Sequence, residues 1–280
     1  MTAAQRIPLK DQLFTREKVE LIASEIERAH PAFRADEFLT AVVARFPQLE
    51  LKGRIDWIAT CLEWHLPRNL RRAVGVLVRS LPAPADPNLS DGDFGDFIYA
   101  PYAEYVARHG CTAEDLDFSL AALREITTRF SAEFGIRPFL DLFPGQVLAT
   151  LQVWTEDAHY HVRRLCSEGT RPRLPWALSL TLPHDVGIQL LDRLFADPTR
   201  YVTRSVANHV NDISKKDPEL ALDTLERWRS SGLQQQREMG YVIRHAARTL
   251  VRAGHPRAVD LVNSSLVMGR SGARRQQPSK

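Results

Sequence analysis

The sequence predicts an all-α protein, a curved α-solenoid of stacked helix pairs. Three observations carry that expectation. Apolar residues recur at three- and four-residue steps along nearly the whole chain, strand signals are nearly absent, and the second half repeats at a fixed interval.

The elements follow in order. Thr15 to Ala29 reads as a helix capped by Thr15. Asp36 to Arg45 places Phe38, Leu39, Val42 and Val43 on one face, and Lys52 to His65 does the same with Ile55, Ile58, Ala59 and Leu62. Asn69 to Ser80 is a fourth helix. Leu81 to Phe97 breaks the pattern with three prolines, two glycines and four aspartates, and reads as a long surface loop. Its Asp91 to Asp96 stretch is faintly like a calcium loop but lacks the distal glutamate, so no metal is expected. Helices resume over Tyr99 to His109 and Thr112 to Phe130, the latter with a capping threonine and an acidic first turn.

The repeat then emerges. Val162, Val202 and Val242 are 40 residues apart, and Arg164, Arg204 and Arg244 keep the same interval. Each unit carries one helix and then a second that begins at a proline, as at Pro218 and Pro256. Two helices per 40 residues is HEAT-like geometry, and stacking such pairs buries a continuous core. The recurring arginine either lines one edge of a concave face or makes structural ion pairs between repeats. Residues 1–262 are read as this helical domain. After Val262 the helical face stops, and 263–280 read as a disordered, weakly basic tail.

With 37 basic and 34 acidic side chains, the net charge of +3 is too mild to announce a nucleic-acid partner. Its distribution is more informative. Between Val162 and Arg204 lie seven arginines and four acids. The three cysteines are widely spaced and match neither a zinc site nor a disulfide framework. His159 and His161 alternate about Tyr160, a spacing that turns helical side chains apart and argues against a shared metal. Trp57, Trp64, Trp154 and Trp228 sit in helical patterns and are expected in the core. The N-terminus has no apolar leader, and no run approaches the ~18 apolar residues of a membrane helix, so a cytoplasmic protein without membrane contact is expected. No P-loop, GxGxxG or Ser-His-Asp order supports an NTPase, dehydrogenase or serine hydrolase.

Three segments hold residues suited to chemistry. Ser131 to Phe139 carries Glu133 near a helix end. Cys166 to Trp176 carries Glu168, Arg171, Arg173 and Trp176 in a Gly/Pro-rich connector. Ser205 to Lys215 carries Asn208, Asn211 and Asp212, with Asn208 and Asp212 one helical turn apart. A carboxylate can stabilise a developing sugar cation and hold an attacking water, an indole face attracts a cationic base, and arginines hold flanking phosphates. Asp212 with Asn208 and Asn211 also reads as a polar network between repeats.

At these residues the chain resembles the AlkC/AlkD superfamily of DNA glycosylases, and its AlkC branch in particular. The matching segments are SAEFGIRPF, VRRLCSEGTRPRLPW, RSVANHVNDISKKDP and YVIRHAARTLV, which together span most of residues 120–255. The first hundred residues resemble the family only in being helical. The resemblance implies a monomer that grips alkylated double-stranded DNA in a basic concave groove. It excises cationic bases of the 3-methyladenine type without a deep base pocket or a cofactor, leaving an abasic site. It also implies roles: Glu168 or Glu133 stabilises the sugar cation or holds water, Trp176 contacts the lesion or its sugar, and Asp212 is a fourth catalytic candidate. Arg164, Arg171, Arg173, Arg204 and Arg244 become phosphate contacts. AlkC-branch proteins often carry an immunoglobulin-like domain after the repeats, and no strand pattern for one is present here. The alternative is a HEAT-like scaffold that binds DNA or protein without catalysis.

Overall fold

The computed structural model describes residues 7–86, 95–175 and 177–273. They are all-α, and among them the only β-type pairing is an isolated bridge between Gly95 and Phe130. The chain divides into two compact units. Among the described residues, one comprises 7–86 and 95–147, the other 148–175 and 177–273.

The first unit contains α1 (Leu9–Leu13), α2 (Arg16–Ala29), α3 (Ala35–Arg45), α4 (Leu51–His65), α5 (Leu70–Ser80), α6 (Ala100–Gly110), α7 (Leu116–Thr127) and α8 (Arg137–Leu142). Caps set the starts of two of these helices. The Thr15 side chain accepts from the Lys18 amide and Asn69 from that of Arg72, each relieving an amide that has no partner within its helix. The predicted helix from Thr112 starts later, because Thr112 Oγ1 accepts from the Asp115 amide in a turn that precedes Leu116. Of the long loop, 87–94, with most of the calcium-like pattern, lie outside the described residues. Its two ends are pinned to the end of α7. The Ala85 amide donates to the Thr128 carbonyl at 2.9 Å and the Asp96 amide to that of Arg129 at 3.0 Å. Gly95 has φ 72°, and a Cβ there would meet the Arg129 carbonyl oxygen at 1.8 Å, so only glycine fits. Asp96 itself caps the 3₁₀ turn Phe97–Tyr99 and pairs with Lys18 at 2.8 Å.

The units divide within α9 (Pro144–Trp154). The second contains α10 (Tyr160–Glu168), α11 (His184–Leu194), α12 (Arg200–Ile213), α13 (Pro218–Ser231), α14 (Gln236–Ala246), α15 (Arg248–Arg252) and α16 (Pro256–Ala273). It is an α-solenoid, with α12 packed between α10 and α14, and with α11, α13 and α16 as the second helices of the pairs. The 40-residue register is structural: Val162, Val202 and Val242 are each fully buried on α10, α12 and α14. Pro218 and Pro256 begin α13 and α16 as expected, and Asp217 caps the former through the Leu220 amide. α12 is buried almost all round, which forces its polar side chains to find partners in the neighbouring helices.

Three expectations are corrected. The helix does not stop at Val262 but runs to Ala273. Ser264 and Ser265, which read as tail residues, donate to the carbonyls of Leu261 and Val262 one turn back and remain helical. Residues 274–280 lie outside the described residues. Trp154 and Trp228 are buried, but Trp57 is half-buried under Arg45 and Trp64 is 58% exposed, packed edge-on against Trp57. His159 is the N-cap of α10, outside its helical spacing, so its ring lies 5.1 Å from that of His161 and accepts from the His161 amide. Among the described residues no cluster of metal-ligating side chains forms, and no helix is long and apolar enough to cross a membrane.

Candidate active site

The second unit brings Glu168 and Asp212 together. Glu168 ends α10, and Arg171 follows in the connector once the chain leaves the helix. Asp212 lies in the last turn of α12. Arg171 bridges the two carboxylates. Its Nη1 donates to Glu168 Oε1 at 2.6 Å, while Nε and Nη2 reach Asp212 Oδ2 at 2.8 and 2.7 Å. Lys215 Nζ, one turn beyond Asp212, donates to Oδ1 at 2.7 Å. Ser205 donates to Glu168 Oε2 at 2.6 Å, and Arg164 Nη2 approaches the same oxygen at 3.6 Å. Glu168 is 5% exposed and Asp212 7%.

Burial on its own would raise the Glu168 carboxyl. The adjacent Arg164 and Arg171 cations and the Ser205 hydrogen bond outweigh it and hold the group below the usual carboxylate range. Arg171 is the counterpart: burial opposes its charge, but Glu168 and Asp212 raise its pKa. His209, fully buried on α12, is pushed down to about 4 by burial and then by Arg171, so it is neutral at physiological pH. A neutral ring facing a carbonyl must donate, so Nδ1 carries the proton to the Ser167 carbonyl at 3.1 Å. The site is therefore a carboxylate pair threaded by a guanidinium and set against a neutral imidazole.

Beside it is a cleft of about 760 Å³ lined by Pro172, Arg173, Leu180, Thr181, His184, Asp212, Lys215 and Lys216, among others. Its lining carries one carboxylate, Asp212, and the cations Arg173, Lys215 and Lys216. Such a cleft suits an anionic polymer that presents one electron-poor centre to a carboxylate.

The predicted residues fare differently. Arg173 and Arg244 are exposed, and Arg204 is half-buried. Arg164 is buried over the Tyr201 ring at 4.5 Å, and Arg171 is taken up by Glu168 and Asp212, so the guanidinium groups of both are directed at protein partners. Asn208 and Asn211 make the inter-repeat network that Asp212 was also expected to join. Asn208 Oδ1 accepts from His245 Nε2 at 2.9 Å and Arg248 at 3.0 Å, and Asn211 Oδ1 from Thr249 Oγ1 at 2.9 Å. Asp212 turns instead to Arg171. Glu133 belongs to the first unit, half-buried in the turn between α7 and α8. There Gly135 packs so tightly that a Cβ would meet the Ala103 carbonyl oxygen at 2.9 Å. Trp176 lies outside the described residues. Sequence reading did not single out Ser205, His209 or Lys215. For Ser205 and His209 the only signal was their place on a helix with almost no solvent-facing side, whereas Lys215 lies in the exposed turn just after it.

No family model matches the chain. It is 32% identical over 254 residues to the uncharacterized protein YhaZ of Bacillus subtilis (strain 168), covering 89% of this chain and 67% of that one. Among solved structures it is similar to Pseudomonas fluorescens alkylpurine DNA glycosylase AlkC bound to DNA containing an abasic site analog. That likeness has a TM-score of 0.76 and 35% identity over 92% of this chain and 68% of the other. The paired carboxylates thus sit in a helical scaffold shared at both sequence and structure level, and the chain belongs to the AlkC-type family of DNA glycosylases.

Proposed function

We propose that the chain is a DNA alkylation-repair glycosylase that hydrolyses the N-glycosidic bond of cationic bases of the 3-methyladenine type in duplex DNA. The observation that carries this reading is the Glu168–Arg171–Asp212 constellation, whose Asp212 lines a cleft shared with Arg173, Lys215 and Lys216. A base alkylated at ring nitrogen is positively charged. As its bond to C1′ breaks, the bonding pair neutralises the base, so the leaving group needs no protonation. The charge moves to the sugar, where an ionised carboxylate stabilises it. Water adds to C1′ and gives up its proton to solvent, leaving an abasic site and a neutral base.

The depressed pKa of Glu168 fits this division of labour. It makes the carboxylate a poor general base and a dependable negative charge that also accepts from an oriented water. Arg171 keeps Glu168 and Asp212 from repelling each other. Arg173, Arg204 and Arg244 are proposed phosphate contacts, Trp176 a contact to the lesion or sugar, and Glu133 a further carboxylate of the reaction. No cofactor takes part, and the enzyme is proposed to act as a cytoplasmic monomer.

Base release from methylated duplex DNA tests the reading, with Glu168→Gln, Asp212→Asn and Glu133→Gln alongside wild type. Wild type releases 3-methyladenine, and Glu168→Gln lowers kcat about 100-fold while still binding DNA. Wild type that binds DNA and releases no methylated base would leave the second reading, a DNA-binding scaffold. The engagement of both Glu168 oxygens by protein groups favours that alternative.

A further inference from the structure

The proposed reaction needs Glu168 in one orientation, and Ser205 is the neutral group that sets it. Ser205 lies on α12, 2% exposed, with Oγ 2.6 Å from Glu168 Oε2 and 2.9 Å from Ser167 Oγ. A hydroxyl has one proton and an ionised carboxylate can only accept. Ser205 therefore donates to Glu168 and accepts from Ser167. With Arg171 on Oε1, both carboxylate oxygens are held and the plane of the group is defined.

Two observations separate this from ordinary satisfaction of a buried serine. Ser214, Ser231, Ser264 and Ser265 each donate to a carbonyl three residues back on their own helix, the usual resort of a helical serine. Ser205 instead reaches across to α10. In the 40-residue register its counterparts are Leu165 and His245, and Leu165 is fully buried, so the repeat packs at this position without a hydroxyl.

We infer that Ser205 is a positioning residue for Glu168, orienting its carboxylate toward the reacting sugar. This rests on the glycosylase reading. The groups facing Glu168 are Arg164 on its own helix, Arg171 in the connector, and Ser205, His209 and Asp212 from α12; Lys215 reaches it only through Asp212. Removing the Ser205 donor withdraws a hydrogen bond from the ionised form, so the Glu168 pKa rises.

The test uses Ser205→Ala in the full chain, its fold checked by melting temperature and by binding to duplex DNA. Base release is measured across pH, and Glu168 is titrated by carboxyl 13C NMR. The expected result is a kcat about tenfold lower, with KM within twofold and the acid limb of the pH profile moved up. Should Ser205→Ala not fold, Ser205→Cys fills nearly the same space with a weak donor and is expected to show the same loss. A folded variant with wild-type kcat and an unmoved acid limb overturns the proposal, as does a change confined to KM. A wild-type chain that releases no base overturns the glycosylase reading and, with it, the orientation of Glu168 toward a sugar. A wild-type chain that releases base, with Ser205→Ala unchanged in kcat and in the Glu168 titration, overturns the Ser205 proposal alone.

Discussion

Arg171 carries more of the site than any other single side chain. Two carboxylates within reach of one guanidinium share its charge, and removing that charge leaves them facing each other with most of their surroundings dry. Arg171→Ala is therefore expected to destabilise the fold by about 3 kcal/mol and to raise the Glu168 pKa, measured by urea unfolding and carboxyl NMR. Arg171→Lys restores one contact at most, since an ammonium cannot span both groups as the planar fork does. The contrast with Arg244 is instructive. The family resemblance implies a phosphate contact for both, yet one is enclosed by carboxylates and the other is exposed. The sign and number of neighbouring charges make the difference: Glu168 lies three residues before Arg171, but Asp212 comes from α12, 41 residues on.

At the scale of elements, His209 fastens three helices. From α12 its Nδ1 donates to the Ser167 carbonyl on α10. Its other ring edge sits against Gly187 of α11, where a Cβ would meet Nε2 at 3.1 Å. The ring is neutral in the fold, with a pKa near 4, against about 6.5 in the unfolded chain. Below pH 6.5 the unfolded state takes up a proton that the native state refuses. The His209 contribution is thus complete above pH 6.5 and is lost as pH falls toward 4, by about 3 kcal/mol. Urea unfolding between pH 7 and pH 4 measures it, and a His209→Gln variant should show a shallower decline. Glu168 acts in the same direction at lower pH, because its depressed folded pKa withdraws stability only as the pH falls through the carboxylate range. Elsewhere, helix starts were legible in sequence where the signal is local: Thr15 and Asn69 cap α2 and α5, and Pro218 and Pro256 open α13 and α16. The start of α7 was not, because a threonine that caps a turn and one that caps a helix look alike until the backbone is traced.

At the scale of the whole molecule, a net charge of +3 spread over 280 residues leaves DNA affinity to where the cations stand. Exposed Arg173 and Arg244 are the proposed phosphate contacts that can meet DNA without giving up a protein partner shown here. Binding to duplex DNA should weaken as salt rises, and Arg244→Ala should reduce the slope of log affinity against log salt by about 1 with kcat at saturating DNA unchanged. Arg164→Ala, by contrast, should register mainly as lost stability, because that side chain packs on Tyr201 beside Glu168.

The 40-residue valine register, the proline-started second helices and the apolar faces determine the helical class by themselves, because periodicity and steric limits on φ act within a few residues. The segments around Glu168 and Asp212 also mark themselves as unusual in sequence alone. Only the tertiary structure decided that Arg171 joins those two carboxylates, that Asn208 and Asn211 serve the next repeat instead, and that Ser205 donates to Glu168 while His209 donates to the Ser167 carbonyl. Those assignments depend on which faces of α10, α12 and α14 meet. A buried polar group takes whatever partner the packing brings within hydrogen-bond reach, and nothing local to its own segment names that partner.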